Sequence, residues 1–249
     1  MSENDAVKVS QSVRISPFTQ PINDNWTWNP KCKSCDAHCQ ENNKSVLFHP
    51  VWSCGTSAIR GTKVLNNARS YWEIIVTGGL GGTSLMFGVG TCKSRLGTAG
   101  FTNLIGEDCN SWGLSHKGLL WHAGKCQKYC RPFPETKQAT IGILFDGIYG
   151  TLTFFKDGEN LGMAFQDLDK VNEPLYPIVS STSMRSRMTL KRMEYEFVSL
   201  QDQCKAIILK NLHHQGIQYL NLPFGIRRYL EESDTQNRPD ECEWYVPRF

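Results

Sequence analysis

Short runs of alternating apolar and polar residues follow one another from Lys44 onward, each closed by a turn signal. The clearest are Ser45–His49, Ser70–Val76, Leu85–Thr91, Leu119–His122, Thr140–Phe145, Thr151–Lys156, Leu161–Phe165, Tyr176–Ser181 and Met188–Arg192. A period of two sends one face of a strand indoors and the other toward solvent. Between the runs lie Gly78-Gly79-Leu80-Gly81-Gly82, Asp146-Gly147 and Asp157-Gly158, all of which tolerate positive φ. Thr151 to Gly162 reads as a hairpin on its Asp-Gly turn. Many short strands with no long helical period predict an antiparallel sandwich or barrel.

The first helical period begins only at Ser199. Leu200, Cys204 and Ile208 recur every four residues, so on a helix they form one apolar stripe. Ser199 is placed to cap that helix, with Asp202 completing a capping-box-like start. A thiol inside such a stripe is expected to act as a small hydrophobe. The stripe serves either a partner or the chain's own core, and pattern alone favours the core. A second apolar group, Leu220, Leu222, Phe224, Ile226 and Leu230, surrounds Pro223 and Gly225 and predicts a turn followed by a short helix, Ile226–Glu232. Residues 1–25 are polar and aperiodic, and flexibility is expected there. The irregular tail from Ser233 carries Trp244-Tyr245-Val246 as candidate docking residues. The domain scheme is a polar, cysteine-bearing extension (1–43), a β domain (44–195), a helical segment (196–232) and a tail (233–249).

Composition removes several function classes. At 249 residues with 40% hydrophobic content, a sizeable core is available. A net charge of +3 with scattered Lys and Arg argues against dedicated binding of nucleic acid or membrane surfaces. No apolar run approaches the ~18 residues of a membrane span. The segment Met1 to Lys8 has no apolar signal core, so the expected compartment is cytoplasm, nucleus or both, without secretion.

In a reducing compartment the ten cysteines are expected as free thiols. The spacing of Cys32, Cys35 and Cys39 admits zinc thiolates, with His38 or His49 completing a site. A strong zinc signal needs two well-spaced ligand pairs, so a loose cysteine-bearing loop is the preferred reading. Cys126 and Cys130 are expected as surface thiols. His213-His214 diverge on a helix and would not chelate, His49 beside Pro50 is expected as a structural hydrogen-bonder, and Gly78–Gly82 lacks the Gly-Lys-Ser/Thr of a phosphate loop. No catalytic residue, metal or cofactor is expected.

Several strand segments form recognisable words. Ser57-Ala58-Ile59-Arg60-Gly61, Tyr71-Trp72-Glu73-Ile74, Asp108-Cys109-Asn110-Ser111-Trp112-Gly113-Leu114 and Gly150-Thr151-Leu152-Thr153-Phe154-Phe155 resemble the SPRY domain. Followed by Phe197-Val198-Ser199-Leu200-Gln201, the whole resembles the SPRY domain-containing SOCS box proteins over about residues 44–232. The resemblance implies a mainly β protein: a bent antiparallel β-sandwich (SPRY/B30.2-like, 44–195) followed by a small α-helical SOCS box (196–232). It also implies a non-catalytic substrate receptor of a ubiquitin ligase. The SOCS box would recruit Elongin C with Elongin B, and Cullin-5 with its RING partner. The SPRY domain would bind a target through a linear motif, a short asparagine-containing degron leading to proteasomal degradation.

Carried over residue by residue, the Elongin C contact falls on Ser199, Leu200, Cys204 and Ile208, matching the family pattern at every position. The Cullin contact falls on Leu220, Leu222 and Pro223, where Asn221 replaces the first proline of the family's Leu-Pro-apolar-Pro and leaves the segment freer before binding. The substrate contact falls on Pro50, Val51, Trp52, Ser53, Phe101, Leu104, Thr182 and Ser183. Trp52 and Phe101 would supply apolar walls, and backbone groups, Ser181 or Ser183 the polar contacts. Phe101 stands where better-studied members have tyrosine, Phe48 where they have arginine and Ser183 where they have tryptophan, so the peptide preference is expected to differ. The alternatives are a non-degradative SPRY scaffold in signalling and, in a third class, a lectin-like or zinc-dependent β-sandwich.

Overall fold

The computed structural model describes residues 16–66, 68–78, 81–134, 138–212, 217–231, 244 and 245. Expectations for residues 1–15, for Gly79 and Leu80, for His213-His214, for Glu232 at the end of the second helix, and for the tail apart from Trp244 and Tyr245 lie outside them.

In chain order the strands are β1 (Ile22–Asn23), β2 (Trp28–Lys33), β3 (Ala37–Gln40), β4 (Ser45–Phe48), β5 (Thr56–Gly61), β6 (Arg69–Thr77), β7 (Leu85–Gly90), β8 (Gly97–Thr98), β9 (Ser111–Ser115), β10 (Leu119–His122), β11 (Lys125–Lys128), β12 (Ala139–Asp146), β13 (Thr151–Lys156), β14 (Glu159–Phe165), β15 (Tyr176–Ser181) and β16 (Arg187–Glu196). Two helices follow, α1 (Leu200–Asn211) and α2 (Phe224–Glu231). One sheet runs β14-β13-β12-β6-β16-β4-β3, with β1 added against β16; the other runs β11-β10-β9-β7-β15-β5-β2, with β8 added against β5. Every pairing is antiparallel. The expected sandwich is therefore present, and the nine sequence-predicted strands all exist.

Alternation explains the core. Trp72, Ile74 and Val76 of β6 and Phe87 and Val89 of β7 point into a single cluster with Ile141, Ile143, Phe154 and Val179. The Asp-Gly hairpin also forms as read: Asp157 and Gly158 take φ 52° and 92°, both positive, as a two-residue turn matching strand twist requires. Asp157 Oδ1 accepts from the Thr140 N–H at 2.9 Å and ties the tip to the neighbouring strand.

The N-terminal segment differs from its reading. Residues 28–40, assigned from sequence to a loose extension ahead of residue 44, supply β2 to one sheet and β3 to the other. Trp28 is fully buried, and Trp26 packs edge-on against both Trp28 (5.6 Å) and Trp72 (6.0 Å). Gly61 makes room for this: a Cβ there would lie 2.7 Å from the Trp26 ring. Cys32 and Cys39 consequently sit on strands of different sheets, and Cys39 packs against the core, where burial raises its pKa. Among the described residues no group of three or more His, Cys, Asp or Glu is placed to hold a metal ion. Cys126 also differs, being fully buried in a second cluster with Met86, Ile105, Trp121 and Ile178. The strand pattern of β11 was too short and polar to reveal this.

His122 stacks on Trp112 at 4.6 Å, near-parallel, and its Nδ1–H donates to Ser111 O at 2.9 Å. Burial holds its pKa below the ordinary value. The unfolded chain thus takes up the proton first on acidification, and stability falls as pH drops below about 6.5. The thermal midpoint of wild type is expected to fall by a few degrees more than that of His122→Phe between about pH 7 and pH 5. Parallel melts of the two proteins check this, and identical pH profiles would exclude His122 as the cause.

Candidate protein-interaction surfaces

Antiparallel registry gathers several loops at one end of the sandwich. Ser181 pairs with both Ser57 and Leu85, and Thr56 with Thr98. The connecting residues 49–55, 81–84, 95–102 and 182–186 therefore emerge side by side. Hydrogen bonds fix them to one another. His49 is fully buried; its Nε2 lies 3.0 Å from Ser181 O, its N–H donates to Asp36 O and its carbonyl accepts from the Arg185 N–H. These bonds hold His49 at φ 47° and Arg185 at φ 59°, conformations non-glycine residues adopt only under such constraint. His49 is the structural hydrogen-bonder expected.

The Ser53 hydroxyl donates to Thr182 O at 2.6 Å, joining the first loop to the last. Thr182 exchanges bonds with both backbone groups of Ser84, and the Ser183 hydroxyl donates to Gly81 O. Thr56 Oγ1 accepts from the Thr102 N–H at 3.0 Å and lies 2.7 Å from Gly100 O, which anchors the Phe101 loop at the start of β5. On this framework Val51 and Trp52 project into solvent, Trp52 at 75% exposure and Phe101 at 49%, with Met184 also exposed. Loops tied together and carrying exposed apolar side chains make this end a candidate binding surface.

Of the eight residues assigned to substrate contact, the structure brings Pro50, Val51, Trp52, Ser53, Phe101, Thr182 and Ser183 to this end, not all of them to its surface. Pro50 and Ser53 are half-buried, as is Ser183. Leu104 is only 3% exposed and Thr182 4%, so neither side chain is open to a partner, and Thr182 braces the loops through Ser84. Ser181 is likewise buried, and its hydroxyl accepts from the Ser183 N–H. The serines are thus engaged with the chain itself. Met184 was missed by sequence reading; its signal was an apolar residue inside a polar turn. Trp52→Ala and Phe101→Ala are expected to leave the melting midpoint within about 2 °C of wild type, because neither side chain is in the core, while weakening captured peptides on an array by tenfold or more, roughly one to two kcal/mol each. Unchanged array binding in both variants would move the surface elsewhere.

The second surface lies on the helices. Ser199 takes extended φ/ψ and its Oγ accepts from the Asp202 N–H at 3.0 Å, the expected cap. Asp202 also accepts from the Ser199 hydroxyl at 2.7 Å and the Tyr229 hydroxyl at 3.0 Å. The Ser199 bond, followed by those of Tyr229 and the nearby Arg69 and Lys205 charges, holds the Asp202 carboxyl below its ordinary range. Helical spacing then divides α1. Asp202, Lys205 and Leu209 share one face, from which the Lys205 ammonium donates to Tyr229 O and lies 3.8 Å from the Tyr229 ring centroid. Leu200, Cys204, Ile207 and Ile208 share the opposite face and are exposed, Leu200 at 76% and Ile208 at 40%. Cys204 is thus exposed rather than a buried hydrophobe. Ile207 extends the stripe, legible as an apolar neighbour of Ile208.

Before α2 the chain turns tightly: Ile217–Tyr219 form a short 3-10 turn, and the Leu222 N–H donates to Leu220 O at 2.8 Å. Leu220 and Leu222 are half-buried, Asn221 and Pro223 exposed. Pro223 immediately precedes α2, and its carbonyl accepts from the N–H groups of Ile226 and Arg227, a position where its missing N–H costs nothing. Tyr219, Phe224 and Ile226 are exposed beside it.

A two-sheet antiparallel sandwich with its loops tied together at one end, followed by a capped helix with an unburied apolar stripe, is the arrangement of a SPRY-type domain with a short helical segment after it. The SPRY domain family matches residues 69–193. The chain is 35% identical over 209 residues to SPRY domain-containing SOCS box protein 3 of Xenopus laevis, covering 82% of this chain and 57% of that protein. It is 30% identical over 220 residues to SPRY domain-containing SOCS box protein 1 of Homo sapiens, covering 82% of this chain and 79% of that protein. The solved TRIM65 PSpry domain and the human HERC1 SPRY domain each superpose with a TM-score of 0.53 at 20% identity, covering 68% and 66% of this chain and 92% and 97% of theirs. At that identity they show the fold alone. The chain belongs to the SPRY domain-containing SOCS box protein family. It spans 57% of the length of its Xenopus relatives.

Proposed function

We propose that this chain is the substrate-recognition subunit of a ubiquitin ligase built on Elongin C, Elongin B and Cullin-5 with its RING partner. The observation that carries the reading is the face of α1 formed by Leu200, Cys204 and Ile208. It is apolar, helical, capped and left open by the chain's own core. A pre-formed helix with an i, i+4, i+8 stripe suits insertion into a partner's groove, and pre-forming it lowers the ordering cost of binding. Leu200 is the anchor, Cys204 allows close approach and Ile208 adds a further turn.

Leu220, Leu222 and Pro223 serve the Cullin contact. Asn221 lacks the fixed φ of proline, but Pro223 at the start of α2 still sets the end of the segment. The loop-end patch of Val51, Trp52, Phe101 and Met184 receives the target, a protein bearing a short asparagine-containing linear motif that is then marked for proteasomal degradation. The receptor itself performs no bond chemistry and needs no cofactor. It works in the cytoplasm, the nucleus or both.

Reconstitution tests this reading. Chain saturated with Elongin B/C is expected to retain Cullin-5 and its RING partner on gel filtration, with Leu222→Ala plus Pro223→Ala weakening retention about tenfold. A ternary complex with Elongin B/C that never takes up Cullin-5 would favour a non-degradative scaffold.

A further inference from the structure

The two sheets end at β14 and β11, and both edges open on the same side of the sandwich, where the Tyr129 hydroxyl following β11 donates to Gly162 O of β14 at 2.5 Å. An open edge presents unpaired N–H and C=O groups, which proteins cover or blunt. Here the cover is the pair Trp244-Tyr245. The Tyr245 N–H donates to Cys126 O at 2.8 Å, and the Cys126 N–H donates to Tyr245 O at 2.8 Å. That reciprocal exchange is one hydrogen-bonded pair of an antiparallel ladder.

Side-chain alternation then engages both sheets from one step of strand. Tyr245 shares the face of Cys126, whose neighbouring thiol holds the tyrosine above its ordinary pKa. Trp244 is directed to the other face, where its ring lies 5.9 Å from that of Phe165 on β14. Phe165 is itself part of the main core, so the indole covers the place where that core reaches the open side.

We propose that the β11 edge is a strand-recognition site for an extended segment with two adjacent aromatic residues, filled in cis by this chain's own Trp244-Tyr245. Main-chain pairing supplies binding, and the two outward-alternating rings supply selectivity. The cis geometry is open to the chain, since the twelve residues 232 to 243 join Glu231 of α2 to Trp244 and span up to about 40 Å when extended. The docked segment clasps the far end of the helical module back onto the sandwich and so restricts how the helices are carried relative to the loop-end surface. A strand from another protein with the same aromatic pair has to displace the clasp before it can pair with β11.

Amide hydrogen exchange at Cys126 tests the assignment in the 249-residue chain. Tyr245→Pro removes the donating N–H, and together with Trp244→Ala it is expected to speed Cys126 exchange about tenfold while β6 and β12 amides keep their rates. A synthetic peptide of residues 241–249, added to that double variant, is expected to restore Cys126 protection; the peptide with the same two substitutions is not. Exchange at Cys126 that ignores the substitutions, or a wild-type peptide that restores nothing, would overturn the proposal. Protection that vanishes on dilution together with dissociation of a dimer would place the segment in trans and overturn the cis assignment.

Discussion

Replacing Leu200 by alanine and Cys204 by phenylalanine is expected to weaken binding to Elongin B/C by about 100-fold or more, without disturbing the sandwich. Leu200 is 76% exposed and Cys204 is exposed too, so neither contributes appreciably to the chain's own core. Buried against a partner, a leucine side chain is worth about 1.5–3 kcal/mol, and a central anchor truncated to alanine loses 2 kcal/mol or more. The phenylalanine adds a steric block where the helix must approach closely. Titration calorimetry measures the affinity change, and thermal melts verify that stability shifts by less than about 0.5 kcal/mol, as for a surface substitution. Equal loss of stability and binding would mean that α1 belongs to the core after all.

Removing the Trp28 ring is expected to have the largest effect on folding. Trp28 is fully buried, paired through β2 with β5, and packed against Trp26, which in turn meets Trp72. Truncating a buried tryptophan to alanine costs about 3–5 kcal/mol, a large share of the 5–15 kcal/mol typical of a domain. Urea unfolding of Trp28→Ala is therefore expected to show a midpoint sharply below wild type. A chain begun at residue 44 loses β2 and β3 altogether and is expected not to unfold cooperatively. A Trp28→Ala midpoint matching wild type would mean that the N-terminal strands are dispensable.

The contrast between these two regions explains what was legible in the sequence. Thr151–Lys156 was readable to the residue because its period is sustained and it lies between Gly150 and Asp157-Gly158, and Tyr176–Ser181 because a short β-forming run follows Pro174 and ends in a polar turn. The segment 28–40 was not, because Trp-Asn-Pro-Lys-Cys-Lys and Ala-His-Cys-Gln carry few apolar positions on short edge strands; only their tertiary partners make them β. The cap at Ser199 was fully legible, since capping is a local device of a few adjacent residues. The loop-end surface was legible in Val51, Trp52 and Phe101 but not in the division between exposed and supporting residues. Leu104 and Thr182 are buried in the folded chain, Thr182 bonded to the distant Ser84, which no local pattern records. The docking of Trp244 and Tyr245 was open to suspicion as an aromatic pair in a polar tail, yet its place on β11 depends on an edge that only the folded sheets create.

Gel filtration of the purified 249-residue chain with Elongin B/C decides whether the open face of α1 is an adaptor surface. Wild type is expected to co-elute with Elongin B/C as one stable complex, and the Leu200→Ala, Cys204→Phe chain to elute alone at its own volume. Wild type eluting apart from Elongin B/C, or the double variant co-eluting with it undiminished, would contradict the receptor function.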